Sequence, residues 1–85
     1  MKPNDALKQQ FLEILNNQLK NDDPPEVKQT LGRLKKEGYS DEDARLLIAQ
    51  CVANEIFNVM RNNEPYNNER YVKNLHRLPA FPSED

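Results

Sequence analysis

The segment from Ser40 to Asn62 constrains the fold more than any other part of this 85-residue chain. SDED opens it: Ser40 is suited to cap a helix, Asp43 stands three residues on, and Asp41 and Glu42 set negative charge against the positive end of the helix dipole. The pattern predicts one long helix over about Asp41–Asn62. On a wheel at about 100° per residue, its polar positions Gln50, Asn54, Asn58 and Arg61 share a stripe only roughly 80° wide. One apolar face carries Ala44, Ile48, Cys51, Val52, Ile56 and Val59, and a flank carries Leu46, Ala49, Ala53, Phe57 and Met60. A single neighbouring helix cannot cover both. Either this helix is central and packed by all the others, or the flank, with Leu46, Phe57 and Met60, is an oligomer interface.

Helical periodicity and punctuation place three more segments around it. Leu7, Phe11, Ile14, Leu15, Gln18 and Leu19 recur at helical spacing over roughly Asp5–Lys20 behind an Asn4 cap, until NDD breaks the pattern. In DPPE, Asp23 is expected to cap, Pro24 to take the first helical position and Glu26 to close a capping box. The helix then runs to about Glu37 with Val27, Leu31 and Leu34 inward. Gly38 stops it by accepting the left-handed conformation. Asn67 or Asn68 caps a short last helix through Leu78, with Tyr71, Val72, Leu75 and Leu78 on one side and Pro79 preventing continuation. The tail AFPSED, 80–85, reads as loose, with Phe81 the residue there suited to pack back. No strand pattern, internal repeat or low-complexity segment is present. The expectation is a single all-α domain over 1–85, a compact bundle of three helices plus a short C-terminal fourth.

Size and charge narrow the functional classes. A domain this short buries only about 60% of the surface its unfolded chain exposes, so a partner surface would help it. Lys plus Arg total 12 against 14 Asp plus Glu, a net charge of −2, which gives no overall attraction to phosphate backbones or anionic lipid. No run of about 18 apolar residues occurs, and MKPNDALKQQ lacks the apolar stretch of a signal peptide. These features point to a soluble, cytoplasmic protein. The lone Cys51 forms no internal disulfide, as fits a reducing compartment.

Two polar residues interrupt the apolar faces. Glu55 falls between Cys51 and Ile48 on the wheel, and Gln18 shares a face with Phe11, Ile14 and Leu15. An ionised carboxylate does not stay buried unpaired. Glu55 is therefore either protonated or accepts hydrogen bonds from the Gln18 amide, the Tyr71 hydroxyl or an arginine. The favoured reading is a satisfied polar pair that fixes helix register. The others are a functional carboxylate in a small pocket, or a side chain at the packing edge that reaches water.

Candidates for chemistry are few. Ser40 is used as a cap, Ser83 lies in the tail, and Thr30 sits in a helix with no His or Lys beside it in sequence. Cys51 and His76 offer a formal nucleophile and base, yet a thiol on an apolar helix face is normally an inert small hydrophobe. One His, one Cys and no CxxC or HExxH give no metal-ligand spacing, so neither metal nor cofactor is expected. Of the two glycines, Gly38 is a stop and Gly32 is expected to permit close helix approach. Arg70, Lys73, His76 and Arg77, joined by Arg61, form a basic cluster that reads as a solvated face, with Glu64 and Glu69 near enough to argue against nucleic-acid binding.

The stretches NNQL (16–19), DPPEV (23–27), Arg33-Leu34, GYS (38–40), DAR (43–45), EIFNVM (55–60) and YVKNLHRLP (71–79) together resemble a family of small bacterial domains of unknown function. The resemblance spans about Leu7–Pro79. It implies a compact helical fold, a bacterial source and no established activity. Relatives of that pattern often carry histidines four apart on the first helix, where this chain has Lys8 and Leu12, and that departure counts against a metal site. Gln18 and Glu55 do match the pattern.

The functional reading is a non-catalytic interaction or structural module that self-associates as a homodimer, without nucleic acid or membrane as partner. Its rival is a small-ligand-binding or enzymatic domain built on a partly buried Glu55 and Gln18, with Tyr71 as the third buried polar candidate.

Overall fold

A computed structural model of the chain describes residues 3–80, with side chains from Ala6 onward. Among these residues the secondary structure is four α-helices with no strand: α1 Pro3–Asn21, α2 Pro25–Lys36, α3 Asp41–Asn62 and α4 Asn68–Arg77. The all-α expectation is met, including the short fourth helix. The expected packing of Phe81 and most of the loose tail concern 81–85, outside the described residues.

The helix ends follow from their sequences. Ser40 caps α3 by accepting the Asp43 N–H at 3.0 Å, and α3 closes at Asn63 in the left-handed conformation with φ 52°. Gly38, at φ 107°, ends α2. The N–H of Tyr39 donates to the Leu34 carbonyl at 3.1 Å and that of Gly38 to the Lys35 carbonyl at 3.2 Å, the paired bonds of a Schellman stop. The end of α1 repeats this arrangement with a non-glycine residue. Asp22 takes φ 52°, and the Asp23 N–H donates to the Gln18 carbonyl at 3.1 Å, so the NDD break fixes where Gln18 sits.

Two helix starts differ from expectation. The capping residue of α2 is Pro24, with extended backbone and no side-chain bond, so Asp23 and Glu26 form no capping box. The cause is the tandem proline: Pro25 excludes helical geometry at Pro24, which moves the start one residue onward to a residue with no capping atom. Helix α1 begins at Pro3 rather than behind Asn4. A proline in the first turn suits a position whose N–H has no intrahelical use.

Helix α3 is the central element, packing against α1, α2 and α4. Its inner face meets Leu15 of α1, Val27 and Leu34 of α2, and Tyr71, Leu75 and the following Leu78 from α4 in one core with Ala44, Ile48, Cys51 and Val52. Several residues depart from the expected faces. Asn58, expected in the solvated stripe, is 1% exposed because α3 is enclosed on more than one side. Leu7 and Ile14, expected inward, are exposed, since α1 faces the core with Leu15, flanked by Phe11, Leu12 and Leu19. A side chain at Gly32 would meet open space, so that residue mediates no close helix approach. Helices α1 and α4 do not pack on each other directly, and this separation shapes the polar site between them.

Candidate functional site

The polar site begins with the cap of α4. Asn67 accepts the Arg70 N–H on its side-chain oxygen at 3.0 Å, fixing the first turn of the helix. In a capping box the third helical residue would return the favour by accepting the N–H of the cap. That residue here is Arg70, which cannot accept. Glu55 of α3 takes the role instead, its Oε1 accepting the Asn67 N–H at 3.2 Å. The same carboxylate receives Arg70 Nε on Oε2 at 2.5 Å and Arg70 Nη2 on Oε1 at 3.0 Å. Glu55 is 3% exposed and Arg70 9%. A bidentate, charge-assisted pair with an added backbone donor is the form in which buried charges are tolerated.

Of the three donors expected for Glu55, the arginine is the one that reaches it, and neither Gln18 nor Tyr71 does. One expectation is corrected: Arg70 does not belong to the solvated basic face. Arg70 was the residue hidden from sequence reasoning. No wheel position marks it: at about 100° per residue Arg70 lies roughly 80° outside the arc of Tyr71, Val72, Leu75 and Leu78, and its burial, like that of Asn74 four residues on, comes from how α4 packs on its neighbours. Its bond to Glu55 also holds the guanidinium above its ordinary value.

Gln18 and Tyr71 form a second pair. The Tyr71 hydroxyl donates to Gln18 Oε1 at 2.7 Å, bridging α1 and α4 where the helices themselves do not meet. Tyr71 is 1% exposed, and burial first of all keeps its hydroxyl protonated well above the usual range. Tyr66 packs edge-on to it, with ring centroids 6.0 Å apart, and donates to Asn68 Oδ1 at 2.8 Å. Burial, and then the charges of Glu55, Asp23 and Glu26, raise the Tyr66 hydroxyl as well.

The arrangement supplies little chemistry. Three donors occupy the two oxygens of Glu55, leaving an anion committed to Arg70 and Asn67. Cys51 is fully buried one turn away, its thiol pushed up to about 12 by burial and then by the neighbouring Glu55 charge, so no thiolate is at hand. His76 is exposed on α4, lining an open groove together with Glu69, Lys73 and Arg77 of the same helix and Glu26 of α2. No three His, Cys, Asp or Glu among the described residues could hold a metal ion, and no helix there is long and apolar enough to cross a membrane.

The interface candidates lie elsewhere. Leu46 is half-buried in an open groove of about 380 Å³ shared with Leu7, Phe11, Ala49 and Ala53, while Phe57 and Met60 are 48% and 74% exposed. The ring of Phe57 meets that of Phe11 edge-on at 6.3 Å.

The family described as Domain of unknown function (DUF1841) matches residues 6–77. The chain belongs to this family. No curated protein and no solved structure matches it. The DUF1841 match runs from Ala6 in α1 through the last residue of α4, so it takes in both the Glu55–Arg70 junction and the Gln18–Tyr71 bridge.

Proposed function

We propose that this DUF1841 protein is a non-catalytic helical interaction module that pairs with a second copy of itself through the seam of α1 and α3. The observation that supports it is the apolar surface left at Leu7, Phe57 and Met60, beside the groove containing Phe11 and Leu46. Each large apolar side chain taken from water contributes up to about 1.5–3 kcal/mol. A second copy suits the seam because its groove carries one charge, Lys8 at the edge, so a two-fold contact brings little like charge together. The presence of Glu26 and Glu69 beside Lys73 and Arg77 in the α2–α4 groove speaks against a phosphate backbone as the partner. A cytoplasmic setting belongs to the same proposal and rests on the free Cys51, a thiol that reducing conditions preserve.

Sedimentation equilibrium tests this reading. Wild type is expected to be dimeric at tens of micromolar, and Phe57→Glu to weaken association at least about 30-fold by placing an unpaired charge in the contact. A wild-type monomer at several hundred micromolar would end the proposal.

A further inference from the structure

The Gln18–Tyr71 bridge leaves half of the Gln18 carboxamide uncommitted. Its oxygen holds the Tyr71 hydroxyl, while its NH₂ has no hydrogen-bond partner among the described residues. Gln18 and Tyr71 border a nook of about 130 Å³ whose apolar walls are Ile14, Val52 and Ile56 and whose side toward the α3–α4 connection is Tyr66. The frame is fixed from several directions. Tyr66 is tied to Asn68, and the next residue, Asn67, is held by Glu55. The backbone of Gln18 is anchored by the stop of α1. An apolar concavity with a hydrogen-bonding side chain on its wall is the make-up of a small-molecule site, here on the scale of a single ring.

We propose that this nook binds one small neutral molecule, a ring-sized apolar body bearing a hydroxyl or carbonyl oxygen that accepts a hydrogen bond from the Gln18 NH₂. Size sets the body: an apolar cavity of about 150 Å³ is known to hold benzene. Charge sets the class. No cationic side chain lines the nook, so an anion would be desolvated there without a partner, while the two oxygens of Glu55 are already engaged by Arg70 and Asn67 and offer a cation no strong ligand. A hydroxyl serves best, since it can accept from Gln18 and donate to the free lone pair of the Tyr71 oxygen. This site is separate from the proposed self-association seam and stands or falls independently of it.

Amide NMR titration of the full chain with phenol, toluene and benzoate is the test, repeated on Phe57→Glu so that self-association does not enter. Phenol is expected to saturate at millimolar concentration, with shifts centred on the Gln18 side chain and Tyr66. Benzoate should bind at least about tenfold more weakly. Gln18→Leu should weaken phenol at least about fivefold while leaving toluene unchanged. Should Gln18→Leu lose its fold, Ile14→Trp, which fills the nook from its exposed edge and removes no member of either hydrogen-bonded pair, should abolish phenol binding instead. Non-saturating phenol shifts, saturation centred on the Leu7–Ala53 groove, benzoate binding as well as phenol, or undiminished phenol binding by a folded Gln18→Leu or Ile14→Trp would each overturn the proposal.

Discussion

The two flanks of α3 solve opposite problems. Toward α4, Glu55 brings a charge into the interior and every consequence is met locally: Arg70 neutralises it, Asn67 fills the remaining acceptor site, and both partners are themselves set by the helix cap. Toward α1, the same helix carries Phe57 and Met60, and the fold leaves them in solvent. A buried ion pair must be completed within the chain because an unpaired charge in low dielectric is costly. Exposed apolar surface carries a smaller penalty per residue and can be left for another molecule to cover. The closed junction therefore reads as architecture and the open seam as the place for association.

The sharpest way to break this contrast is Glu55→Ala, which strands Arg70 and the Asn67 N–H. Urea denaturation should show a loss of roughly 3 kcal/mol or more. Adding Arg70→Met to it should recover part of that loss. A double variant as unstable as the sum of its singles would mean that the pair is not coupled.

An alkaline titration addresses the same interior. The Cys51 thiol is raised from 9.0 to about 12 in the folded chain, so the folded state keeps a proton that the unfolded state releases. Its contribution is complete below about pH 9 and declines as pH rises toward 12, at up to about 1.4 kcal/mol per pH unit. Tyr71 is shifted in the same direction and steepens the fall above its ordinary value. Cys51→Ala should flatten the earlier part of that decline. At pH 8, iodoacetamide should modify Cys51 only as fast as the protein opens; rapid labelling without denaturant would contradict the burial.

Smaller effects distinguish the partly open positions. Tyr71→Phe removes the bridge to Gln18 and should cost about 1 kcal/mol, because water replaces the lost bond at the half-buried amide. Phe57→Glu, which is expected to disrupt association, should lower the stability of the dilute monomer by only about 1 kcal/mol through its lost edge contact with Phe11. A monomer destabilised as severely as by Glu55→Ala would place Phe57 in the core and not on the seam.

Most of the fold was legible because its signals are local. Ser40 and Asn67 cap where their neighbours predict, Gly38 stops α2, and the over-wide apolar surface of α3 left a central helix as one of two readings, the other being an oligomer interface. The misreadings arise where a second element intervenes. Two consecutive prolines displaced the start of α2, and the enclosure of Asn58 depends on how α3 is surrounded. The site was half legible. Glu55, Gln18 and Tyr71 stood out against apolar faces, yet their pairing is set by the crossing of three helices. No spacing in the sequence tells that Arg70 reaches Glu55 while Tyr71 reaches Gln18.

The contrast between the two flanks is tested most directly at Met60, one of two methionines in the chain and 74% exposed. With methionine methyl groups carrying ¹³C, broadening of the Met60 signal by a soluble paramagnetic agent can be followed from micromolar to submillimolar protein. Strong broadening in dilute protein that falls severalfold as concentration rises is the expected result. Broadening that stays the same across the range would contradict an open seam completed by a second copy.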